Sequence, residues 1–143
     1  MNPRMSLTLD TYGVLVELQI ATVTETAADC VLLLKSKLSN VAFDISSVPF
    51  FLTKRDFEKW AIFIENRIAS AGCADPFVTY GLGFQFTILD ADDFESSIVV
   101  LLNVGMAEDN RIYCGSEIRV LTENLATFAH GLQAISEFVP ESD

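Results

Sequence analysis

The chain has 143 residues, 20 acidic against nine basic, a net charge of −11 and a pI near 4.3. It is the size of one domain, able to bury roughly 70% of its unfolded surface, and its charge excludes the Lys- and Arg-rich classes that grip nucleic acid or an anionic membrane. Half the residues are hydrophobic and 11 are Phe, which excludes a disordered chain.

The charge is lopsided. Residues 1–70 hold 8 acidic and 7 basic side chains, a net of −1, whereas residues 71–143 hold 12 acidic side chains against Arg111 and Arg119, a net of −10. Three cysteines, Cys30, Cys73 and Cys114, form no CxxC pair and read as buried thiols. The start Met1-Asn2-Pro3-Arg4-Met5 has no apolar run with a cleavage site, and no apolar stretch approaches the ~20 residues of a membrane span. A reducing cytoplasm is the expected compartment.

Val14, Val16, Leu18 and Ile20 alternate with polar residues, which predicts a half-buried strand, and Thr22 to Asp29 predicts a polar turn region. Val31 to Leu38 predicts a second strand with Lys35 and Lys37 outward. After Ser39-Asn40 a third strand is expected over 41–45, closed by Pro49. Thr53 then suits a helix N-cap, Asp56 suits the first turn, and Leu52 with Phe57 forms a hydrophobic staple. Phe57, Trp60, Ala61, Ile64 and Ile68 trace one apolar stripe, and Gly72 is placed to stop the helix.

Alternation resumes from Val78 to Ile88, predicting one long strand in which Gly81 and Gly83 admit a close neighbour. The residues from Asp90 to Glu95 predict a hairpin into 97–104, and Glu108-Asp109-Asn110 a second into 111–120. Thr122 is the expected cap of a last helix, with Leu125, Phe128, Ala129, Leu132 and Ile135 buried. Strands, helix, strands, helix in this order predict a single α+β domain, core about 12–139: antiparallel β-meanders with two helices packed on one face.

No catalytic constellation emerges. The only histidine, His130, lies roughly 140° around the last helix from Leu125 and should be exposed. There is no GxSxG elbow, and the GLG at 81–83 lacks the remainder of a phosphate-binding loop. Asp90, Asp92, Asp93 and Glu95 are hard oxygen ligands, but an EF-hand needs Gly at position six and Glu at twelve, where Glu95 and Leu101 stand. The expectation is therefore no enzyme, no cofactor and no metal.

The carboxylates point instead to a protein partner. Asp90, Asp92, Asp93 and Glu95, with Glu108 and Asp109 on the next hairpin, could face a basic surface, and Phe94 could supply an apolar anchor among them. A solvated hairpin tip is the simpler reading of the same residues. The segments VLVELQI, VLLLKSKL and FFLTKRDFEKW, followed by YGLGFQFTILD and RIYCGSEIRVLTENL, resemble the WapI-type bacterial toxin-immunity family in element order and apolar pattern over about residues 12–136. This chain departs from that family in carrying acidic residues where a hairpin glycine is common, and no functional residue carries over. The resemblance implies a non-catalytic inhibitor covering a basic toxin, such as a nuclease. The alternatives are a phosphate mimic blocking another nucleic-acid machine, such as a phage defence inhibitor, and a small-ligand protein with a pocket near Tyr80, Gly81 and Gly83.

Overall fold

The computed structural model describes residues 5–69, 75–105 and 110–141. Five strands, β1 (Met5–Asp10), β2 (Val14–Val23), β3 (Ala28–Ser36), β4 (Asp44–Ser46) and β5 (Phe50–Leu52), form an antiparallel sheet in which β4 and β5 pair with different stretches of β3. The helix α1 (Lys54–Ala69) follows. A second antiparallel sheet takes β6 (Phe77–Val78), β7 (Phe84–Ala91), β8 (Glu95–Asn103) and β9 (Tyr113–Leu121) in sequence order, and α2 (Thr122–Ser136) ends the domain. The class is α+β, with each meander followed by its helix.

Alternation decides which face is dry. Val16, Leu18 and Ile20 of β2 and Leu32 and Leu34 of β3 are fully buried, as are Phe84, Phe86, Ile98, Val100 and Leu102 in the second sheet. These inner faces close over the paired helices, whose stripes Phe57–Trp60–Ala61–Ile64 and Leu125–Phe128–Ala129–Leu132 share the same core. Tyr12 N–H donates to Arg119 O at 3.1 Å and Val48 N–H to Asn103 O at 2.8 Å, so the sheets also meet at two backbone seams.

The start of α1 is built as its sequence dictates. Asp56 N–H donates to Thr53 Oγ1 at 3.1 Å while Thr53 N–H donates to Asp56 Oδ2 at 2.9 Å, a reciprocal capping box with Asp in the Glu position. Leu52 and Phe57 are both buried beside it. The expected stop at Gly72 lies outside the described residues.

Four local expectations are corrected. Met5–Asp10 forms a strand ahead of the first one expected, with Met5, Leu7 and Leu9 turned toward the core. The third strand is only Asp44–Ser46, and Pro49 does not close the sheet, because β5 returns to pair with β3. The long strand from Val78 breaks: β6 folds back on β7 through Leu82, whose φ is +56°. Thr122 does not cap α2; Leu121 holds that position, and the Thr122 side chain is bonded elsewhere.

The break after β6 has a long-range cause. A Cβ on Gly81 would stand 2.5 Å from Phe51 O, and one on Gly83 would enter the Phe50 ring. The glycines admit β5 against the β6–β7 turn, with Phe51 beside Gly81 and Phe50 beside Gly83.

Candidate functional site: the β7–β8 hairpin

Asp90, Asp92, Asp93, Phe94 and Glu95 come together at one tip, where β7 ends at Ala91 and β8 begins at Glu95. Glu108 and Asp109, expected to extend the acidic surface, lie outside the described residues. The five residues at the tip have different jobs.

Asp92 holds the turn. Its Oδ1 accepts the N–H groups of Phe94 at 2.8 Å and Glu95 at 2.7 Å, and its own N–H donates to Glu95 O at 2.9 Å. An aspartate bonding backbone two and three residues ahead closes a tight turn without help from the strands. The Glu95 and Phe94 amides, in that order, hold the Asp92 carboxyl below its ordinary pKa, since they bond best to the ionised form.

Glu95 is clamped. Arg119 Nη1 lies 2.9 Å from Glu95 Oε1, and the Tyr12 hydroxyl donates to Oε2 at 3.2 Å. Partial desolvation and then the Glu95 charge raise the Tyr12 phenol above its ordinary pKa. The base of the turn is fixed by Thr122: its N–H donates to Phe94 O at 3.0 Å, its hydroxyl donates to Asp92 O at 2.8 Å, and Ser96 Oγ lies 2.8 Å from that hydroxyl.

Two carboxylates and one ring remain uncommitted. Asp90 and Asp93 are exposed, and their carboxylates make no hydrogen bond or ion pair among the described residues. Phe94 is 68% exposed although both its backbone groups are bonded. Tyr12 stands half-exposed beside the clamp, over a cleft of ≈ 160 Å³ lined by Asp10, Thr11, Lys37, Leu121 and Asn124, in which Lys37 pairs with Asp10 at 2.5 Å. Sequence reasoning missed Tyr12, Arg119 and Thr122. The available signal was that Arg119 is one of two cations in the second half.

Asp92 is spent on amides and Glu95 on Arg119, so the acidic run does not converge on a point; among the described residues no three Asp, Glu, His or Cys side chains are grouped to hold a metal ion. His130 is exposed on α2. Cys30 is buried, its thiol pushed up to about 12 chiefly by desolvation, and Cys114 is exposed, against the expectation of buried thiols throughout. No helix among the described residues is long and apolar enough to cross a membrane. No protein-family model, curated protein or solved structure matches this chain.

Proposed function

We propose that this protein is a non-catalytic binding protein that docks its β7–β8 hairpin onto a cationic protein surface, in the manner of an immunity protein that covers a basic toxin in the cytoplasm of the producing cell. The observation that carries this reading is Phe94, held exposed by two backbone bonds between the uncommitted carboxylates Asp90 and Asp93. A rigid aromatic in a charged rim costs little ordering entropy on binding and supplies a desolvated anchor. The surrounding charge of the second half, −10 by sequence, steers a basic partner toward it. A toxin nuclease has the surface such carboxylates fit, since they stand in for phosphates.

The test is capture of the protein encoded by the adjacent reading frame, titrated from about 0.01 M to about 1 M salt, where the screening length falls from about 30 to about 3 Å. Affinity falls steeply with salt. The Asp90→Asn/Asp93→Asn pair slows association, and Phe94→Ala weakens capture by more than about tenfold, roughly 1.4 kcal/mol, with the fold unchanged. Capture indifferent to salt and to both variants removes the hairpin as the docking face.

A further inference from the structure

The strand β9 pairs with β8 along its whole length, from Asn103↔Tyr113 to Glu95↔Leu121, without a register shift. On its other edge, among the described residues, it receives one backbone bond, from Tyr12 N–H to Arg119 O. In a strand the N–H and C=O of one residue point to the same side, and successive residues alternate. Arg119 therefore faces the open edge, and Thr122, three positions on, faces β8, where it bonds Phe94 O. By the same alternation the open edge presents the N–H and C=O groups of Tyr113, Gly115 and Glu117.

Such an edge is a template for another strand, and proteins blunt it with Pro, Lys or a bulge. The stretch Tyr113-Cys114-Gly115-Ser116-Glu117 has no Pro, Lys or bulge, and its one charge, Glu117, stands at its end. Cys114, Gly115 and Glu117 are exposed.

We propose that a second copy of this chain adds to this edge, the two β9 strands running antiparallel about a two-fold axis through Cys114. Charge selects the register. With Cys114 on the axis, Arg111 stands opposite Glu117 of the second copy, twice by symmetry, and opposite charges across a ladder attract. Centring on Gly115 would set Arg111 against Arg119, and centring on Glu117 would set two carboxylates together. The chosen register also puts Tyr113 opposite Gly115 of the second copy, where a ring can cover the bare glycine backbone. Gly115 cannot gain a side chain of its own, because a Cβ there would meet the backbone of Val100 and Leu101. The Tyr12 turn, seated at Arg119, ends the overlap at Glu117.

Two copies each carrying −11 repel, so the association is weak and salt strengthens it. That sign is opposite to the one expected for capture of a cationic partner, and the edge does not involve Asp90, Asp93 or Phe94.

The experiment is sedimentation velocity over a concentration series on the full chain carrying Cys73→Ser, with and without mild diamide oxidation. A reversible dimer that tightens as salt rises is expected. Oxidation should link it through Cys114, since facing residues between hydrogen-bonded pairs sit about 4.5 Å apart, within disulfide reach; buried Cys30 stays unreactive. Cys114→Ser should abolish the covalent dimer and leave the reversible one. Glu117→Arg should raise the dimer dissociation constant about tenfold or more, and adding Arg111→Glu should restore it. A monomer at every concentration and salt overturns the proposal, as does a dimer that ignores Glu117→Arg or fails to cross-link at Cys114.

Discussion

Asp92 and Asp93 are neighbours of identical chemistry with opposite duties. Asp92 spends its charge on two amides inside its own turn, whereas Asp93 keeps its charge for solvent or a partner. This makes the hairpin sensitive to acid through one residue. The Asp92 carboxyl is held below its ordinary value in the folded chain, so as pH falls the unfolded chain takes up its proton first. The stability that Asp92 contributes is complete above the ordinary carboxylate range and is lost as pH drops through the folded value. Amide hydrogen exchange at Phe94 and Glu95, read as a protection factor that removes the intrinsic pH dependence, should therefore lose protection on acidification. Asp92→Asn, which keeps an acceptor oxygen but cannot titrate, should hold protection constant over the same range, and Asp92→Ala should lose it at every pH. Equal pH dependence in wild type and Asp92→Asn would detach the turn from this carboxylate.

At the scale of elements, both ends of α1 lend a side chain to a neighbouring element. α2 has no basic residue in its last turn, and Lys54 at the start of α1 donates to Ser136 O at 2.8 Å instead. Arg67 at the end of α1 donates to Ile88 O at 2.7 and 3.1 Å and to Leu89 O at 3.1 Å, where β7 slips register against β8. A bulge leaves carbonyls that the ladder cannot satisfy, and Arg67 satisfies them. Arg67→Ala should cost about 1–3 kcal/mol in urea unfolding and loosen β7 just before Asp90, while Arg67→Lys recovers only part of the loss; a change below about 0.5 kcal/mol would leave the bulge supported without it. These contacts mark the limit of legibility. The helices were readable because a 3.6-residue stripe and a Thr53–Asp56 cap are local. The strand from Val78 was misread because its alternation continues through Gly81 and Gly83, and only the arrival of Phe50 and Phe51 explains the turn. Thr122 was misread for the same reason, its partner Asp92 lying 30 residues earlier. The acidic residues of the hairpin stood out in composition, yet their division of labour depends on Arg119 and Tyr12, 24 and 83 residues from Glu95.

For the whole molecule, the decisive residue is Trp60. It sits on the first half's helix, but its ring packs on Phe84 at 4.5 Å, Phe86 at 5.6 Å and Phe77 at 6.0 Å in the second sheet, and on Phe128 of α2 at 5.4 Å. Such aromatic pairs add about 0.5–1.5 kcal/mol each beyond the area they bury. The two meander-and-helix halves thus share a single aromatic centre and the charge-rich second sheet leans on the near-neutral first half for its core. Neither half has a dry interior of its own, so they should unfold together. Trp60 emission and far-UV circular dichroism should give one coincident urea transition, the mark of a two-state domain. Trp60→Ala should remove about 3–5 kcal/mol, a large share of the 5–15 kcal/mol that holds a typical domain. Trp60→Phe should cost less, because the indole Nε1 is buried without a hydrogen-bond partner among the described residues, and losing that N–H offsets part of the lost contact. Two separated transitions, with Trp60 reporting only one of them, would mean that the halves are independent folding units and that the acidic hairpin rests on the second sheet alone.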